Sequence, residues 1–153
     1  MLKERIFEII MQGDPSDIFH LADRMRQSVQ HHVVKSPQLE LVMYQVEESV
    51  EKMDFNVGEV LVTSAEVRVN DAIGYSMIME TDEQKALDCA LLMGIYEAGL
   101  PQMKEIENLA ETMHKKMTEQ LREEREIVSS TRVNFEIMGG QDPNIEHNVE
   151  KEL

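Results

Sequence analysis

The sequence predicts an α+β fold: an N-terminal helical pair, a small antiparallel sheet, two C-terminal helices of which the second is long, and an extended C-terminal arm. Three observations predict it. Apolar residues recur at helical spacing near both ends, β-branched residues are enriched around Val60, Val62, Thr63, Val67 and Val69, and Gly and Pro residues punctuate the boundaries between them.

Ile6, Phe7, Ile9 and Ile10 place an apolar stripe on a first helix that Gly13 stops. Asp14 is the expected N-cap of a second helix. Pro15 occupies its first position, where a missing N–H costs nothing, and Ile18, Leu21, Ala22 and Met25 form its buried face. The run from Leu39 to Val46 is apolar on both faces and follows Pro37, which predicts a central strand. Glu47 to Asn56 reads as a charged connection. Strands over roughly Glu59–Val69 and Ala72–Met79 follow, antiparallel because only Asn70-Asp71 separates them, with Gly58 as a bend or turn.

Thr81 and Gln84 have capping-box spacing, so a third helix is expected to start at Thr81, with Ala86, Leu87, Ala90, Leu91, Gly94, Ile95 and Ala98 on its apolar face. Gly99 and Pro101 stop it. From Gln102 to about Ser130, Met103, Ile106, Ala110, Met113, Met117, Leu121 and Val128 stand at near-heptad spacing amid dense charge, which predicts the long helix. Val133, Phe135 and Ile137 alternate with Asn134 and Glu136 as an extended arm does. One domain is expected over residues 1–140, with 141–153 too poor in apolar anchors to order on its own.

Thirty acidic residues against fifteen basic give a formal charge of −15, which repels nucleic acid and leaves no basic stripe to hold it. The same field makes the chain alone a poor holder of ATP or of a polyphosphorylated sugar. No apolar run approaches the length of a membrane span, and Glu4 and Glu8 interrupt the N-terminus, so neither a transmembrane helix nor a signal peptide is expected. A single cysteine, Cys89, forms no internal disulfide, and the expected compartment is cytoplasmic. Twelve methionines suit either an adaptable core or a partner surface, and the core is the plainer reading.

No catalytic constellation emerges. His31 and His32 are adjacent and point to different sides of any regular element, with no Cys or His at ligand spacing. Cys89 beside Ala90 and Leu91 reads as a half-buried helical thiol without a neighbouring base. Glu119, Glu123, Glu124 and Glu126 alternate with Arg122 and Arg125 as on a solvated, salt-bridged helix face. Arg132, flanked by the alternating apolar residues, has two readings: a bidentate clamp on a phosphate or phosphonate, or an ion pair with a carboxylate across a subunit boundary. The acidity of the chain favours the second.

Four pieces of the chain carry a resemblance. Gly58-Glu59-Val60-Leu61-Val62-Thr63 with Gly74-Tyr75, then Ala86 with Cys89-Ala90-Leu91, and finally Thr131-Arg132-Val133-Asn134-Phe135 resemble, in order and spacing, the core and C-terminal signature of the PhnG family. Asn134 stands where that family commonly has Asp, and Met138-Gly139-Gly140-Gln141-Asp142 lacks the basic residue that often follows the methionine. The resemblance implies an accessory, non-catalytic subunit of the carbon–phosphorus lyase core complex, alongside PhnH, PhnI and PhnJ and the ATPase-like PhnL. That assembly displaces adenine from ATP with a phosphonate to give a ribose 1-alkylphosphonate 5-triphosphate. It implies no cofactor in this chain, with ATP and an iron–sulfur radical centre on partner subunits. Arg132, Val133, Phe135, Ile137 and Met138 are the expected partner interface. The alternative is a stand-alone acidic interaction module or a small enzyme outside phosphonate metabolism.

Overall fold

A computed structural model describes residues 2–48 and 52–130. The fold class is the predicted one, with four helices and a three-stranded antiparallel sheet among the described residues. The chain divides into a compact unit Met1–Met117 and a second unit Thr118–Leu153. The expected arm and tail, including Arg132, Val133, Phe135, Ile137 and Met138, lie outside the described residues.

Helix α1 (Lys3–Gln12) buries Ile6, Phe7, Ile9 and Ile10, and the Gly13 amide closes its end on the Ile10 carbonyl. Helix α2 (Pro15–Ser28) starts as its sequence dictates, with the Asp14 carboxylate accepting from the Ser16 amide at 2.8 Å and Pro15 in its first turn. Ile18, Leu21, Ala22 and Met25 are its buried face.

The sheet comprises β1 (His31–Glu47), β2 (Asp54–Val69) and β3 (Ala72–Ile78) in the order β1-β2-β3. The expected central strand is therefore an edge strand, and β2 is central. The apolar character of Leu39 to Val46 on both faces reads as double burial, but β1 and β2 continue as a two-stranded ribbon beyond the last β2–β3 pair, Thr63↔Ile78; Val62 is still buried there, whereas every β2 residue from Asp54 to Glu59 is exposed. The charged connection is also shorter than expected, because β2 already begins at Asp54. Gly58 makes no turn. It pairs with Tyr44 beside a register shift that places two β2 residues, Val57 and Asn56, opposite the single step from Tyr44 to Gln45. That is a β-bulge, and it bends the ribbon without ending it. Asn70 adopts φ 53°, the left-handed conformation that lets β2 reverse into β3 within two residues.

Helix α3 (Glu83–Glu97) is the centre of the unit. It packs on β2 and β3 and also against α1 and α2. Its cap is Asp82 rather than Thr81: the Asp82 carboxylate accepts from the Lys85 amide at 2.9 Å, while the Gln84 side chain turns to Asp88. A carboxylate three residues ahead of that amide serves the cap better than a hydroxyl one position earlier, because it also faces the positive end of the helix dipole. Cys89 is fully buried, not half-buried, since α3 is enclosed on more than one side and Ala86, Ala90, Leu91, Leu92 and Ile95 share its surroundings. Gly99, with φ 66°, ends the helix region as expected. Helix α4 (Met103–Ser130) contributes Ile106, Ala110 and Met113 to the core of the first unit. In the second unit Arg122 donates to Glu119 at 2.6 Å on an exposed face, the salt-bridged pattern that the sequence predicts there.

The methionines divide by place. Met25 and Met113 are core residues, whereas Met43, Met53, Met77 and Met79 are exposed on or beside the sheet.

Candidate partner interface

Alternation along β2 places Leu61, Thr63, Ala65, Val67 and Val69 on one face. Thr63, Ala65, Val67 and Val69 lie fully buried in the half of the strand that α3 covers. Leu61 continues the same row past that cover and is 47% exposed. Its cross-strand partner Leu41 is 64% exposed, and the flanking pairs Leu39↔Thr63 and Met43↔Glu59 add two more bare apolar side chains. One stripe is thus core at one end and open at the other.

The opposite face repeats the pattern. Tyr44 and, through the Val46↔Phe55 pair, Phe55 are about half exposed on the ribbon, and Ile73, Tyr75 and Met77 of β3 are partly bare on the same side. Contiguous apolar surface on both faces of one ribbon marks a surface made to be covered.

Between these two outer groups lies a polar network that stiffens the ribbon's base. Glu40 accepts from Lys35 at 2.5 Å and Gln38 at 2.6 Å through one carboxylate oxygen, and from the buried Ser64 hydroxyl at 2.9 Å through the other. The hydrogen bond from Lys35, then those from Gln38 and Ser64, hold the Glu40 carboxyl down at about 2. Lys35 is raised in return, chiefly by its hydrogen bond to Glu40, and burial pushes the Tyr75 phenol up. Because the folded value lies below the ordinary 4.5, this network's contribution is complete above pH 4.5 and disappears as pH falls toward 2. The Glu40 carboxyl carbon, followed by NMR, is expected to titrate near 2, and Lys35→Met or Ser64→Ala should move the midpoint upward. A wild-type midpoint at the ordinary value would mean that the network does not form.

Other groups with chemical potential are accounted for locally. Burial pushes the Cys89 thiol up to about 12, so it is protonated at neutral pH and no nucleophile. The His31 ring bonds the Val29 carbonyl through Nδ1 at 2.9 Å. An open cleft of about 490 Å³ between α2 and α4 is lined by Asp17, His20, Arg24, Glu105 and Lys116, but its cations are paired, Arg24 with Glu105 at 3.1 Å and Lys116 with Asp17 at 2.7 Å. Among the described residues no group of three or more His, Cys, Asp or Glu side chains is placed to hold a metal ion, and no helix is long and apolar enough to cross a membrane.

The sequence-predicted interface residues Arg132, Val133, Phe135, Ile137 and Met138 fall outside the described residues, so the structure brings none of them to the ribbon. What sequence reasoning missed is the ribbon itself. Its signal was present: a run apolar on both faces next to a charged connection fits an uncovered hairpin as well as an interior strand.

A family model described as phosphonate metabolism protein PhnG matches residues 2–140, which include every described strand and helix. No curated protein matches the sequence. With nearly the whole chain matched, the protein belongs to the PhnG family and has a role in phosphonate metabolism.

Proposed function

We propose that this chain is a non-catalytic, accessory subunit of the carbon–phosphorus lyase core complex, and that the β1–β2 ribbon is a surface by which it docks. Its partners in this reading are PhnH-, PhnI- and PhnJ-like subunits, with a PhnL-like ATPase. ATP and the iron–sulfur radical centre sit on those partners. The assembly displaces adenine from ATP with a phosphonate, and the positioned nucleophile and charge stabilisation that this displacement needs come from a partner. The observation that carries the reading is the ribbon: Leu39, Leu41, Met43, Tyr44, Phe55 and Leu61 are all about half exposed or more on two faces of one hairpin. At about 25 cal/mol per Å² of apolar surface, covering several such side chains supplies much of what a specific interface requires. The segment from Arg132 to Met138 is a second contact in this proposal, on sequence grounds.

Co-expression with the neighbouring PhnH-, PhnI- and PhnJ-like subunits tests it. The wild-type chain is expected to co-purify with them. Leu41→Thr with Leu61→Thr should leave the circular dichroism of the isolated chain unchanged, because both side chains are about half exposed or more and threonine suits a strand, yet abolish co-purification and with it phosphonate-dependent adenine release. Retention of the double variant in the complex would remove the ribbon from the interface. Failure of the wild-type chain to associate, or turnover by the purified chain alone, would overturn the accessory role.

A further inference from the structure

The ribbon has an open backbone edge as well as open faces. Strand β3 pairs with β2 only from Val69↔Ala72 to Thr63↔Ile78. There the chain leaves the sheet for a definite reason: the Thr63 hydroxyl donates to the Glu80 carbonyl at 2.6 Å, and Asp82 caps α3 two residues later. Beyond that point β2, from Asp54 to Val62, has β1 as its sole strand neighbour among the described residues. Every second residue of that span directs its N–H and C=O away from β1, toward the side where β3 would continue. Met79, 78% exposed, stands at the head of this vacant lane.

Resting on the accessory-subunit reading above, the geometry points to strand addition: an extended segment of a partner subunit lies along β2 from Asp54 to Val62, in line with β3, and completes a three-stranded sheet. Backbone hydrogen bonds supply the attachment, and alternate side chains of the added strand meet the Leu41/Leu61 row on one face and the Tyr44/Phe55 row on the other. The outer edge of β1 is the poorer lane. Pro37 and the register shifts at Val33/Lys35 and Lys35/Gln38 break its regularity near the core, and no strand already lies there to be extended.

Charge selects the kind of partner. Around the tip stand Glu47, Glu48 and Asp54 against Lys52, and Glu59 stands on the ribbon. A second copy of a chain with formal charge −15 meets like charge there. The incoming strand therefore belongs to a different protein, with alternating apolar residues and Lys or Arg where it passes the tip.

Hydrogen-exchange mass spectrometry on the free chain and on the co-expressed complex distinguishes the outcomes. In the free chain only the β2 amides bonded to β1 should exchange slowly over Asp54–Val62. In the complex the number of slow amides in that span is expected to about double, each slowed by more than about ten-fold, while Leu39–Glu47 of β1 keeps its free-state pattern. A complex that assembles without new protection in β2, or with new protection along β1 instead, overturns strand addition and leaves the accessory role standing. The isolated chain forming a dimer with the same β2 protection overturns the choice of a different protein as occupant. Absence of any complex removes this inference together with the function on which it rests.

Discussion

Gly74→Ala is expected to destabilise the protein by about 3 kcal/mol or more, at the top of the range for overpacking a dense contact. A Cβ at this position would sit inside the Ala90 carbonyl oxygen and the Gly94 amide nitrogen, and 2.7 Å from the Gly94 Cα. All three are backbone atoms of α3, so no side chain can swing aside; β3 and α3 would have to separate. The reason for glycine here is close approach, since Gly74 is not among the residues with positive φ. Gly94→Ala is the informative contrast. Its new Cβ would come to 2.9 Å from the Val69 Cγ2 and 3.2 Å from the Val67 carbonyl, a milder overlap than the 2.0 Å and 2.1 Å approaches at Gly74. That variant should lose about half as much or less, on the order of 1 kcal/mol. Urea unfolding of both chains checks the order, and a Gly74→Ala protein within about 0.5 kcal/mol of wild type would show that strand and helix are not in contact there.

Gly74 and Gly94 also mark what the sequence could and could not tell. Periodicity recovers elements whose burial is one-sided: the stripes of α1 and α2 and the alternation of β3 were all legible, because each face there has one environment. Contact between two glycines twenty residues apart leaves no periodic trace. Strand order was misread for a related reason. Leu39 to Val46 is apolar on both faces, and only the position of α3 decides whether such a run is covered twice or not at all. Capping failed on a smaller scale, since Thr81 and Asp82 are both competent caps and the choice depends on where β3 releases the chain at Glu80.

The candidate site was less legible than the fold. Family resemblance directs attention to Arg132 and the alternating residues after it, whereas the bare apolar surface among the described residues is the ribbon, tens of residues earlier in the chain. An uncovered apolar side chain carries no chemical signature of its own: Leu41 and Leu61 differ from Leu91 and Leu92 only in what the fold leaves uncovered.

Arg26→Ala should be the most pH-sensitive lesion in the protein. Asp88 on α3 is 1% exposed, and its carboxylate is held by the Arg26 guanidinium from α2 and by the Gln84 amide at 2.9 Å. Burial already pushes the Asp88 carboxyl above its ordinary 3.8, against the pull of Arg26 and Gln84. Removing Arg26 leaves a buried carboxylate with one neutral partner, which costs about 3 kcal/mol at neutral pH. The sign of the pH dependence follows. With Arg26 gone the folded-state value rises further, so the penalty is absent where Asp88 is protonated in both states, below the ordinary 3.8, grows as pH rises above that value, and is complete once pH exceeds the raised folded value. Thermal unfolding should therefore place the variant nearest to wild type in acid at or below the ordinary 3.8 and furthest from it at neutral pH. Asp88→Asn in the Arg26→Ala background should recover most of the loss at neutral pH, because an amide can be buried without charge. A deficit independent of pH, and untouched by Asp88→Asn, would mean that Arg26 stabilises the α2–α3 contact through the packing of its aliphatic stem and that the buried ion pair contributes nothing.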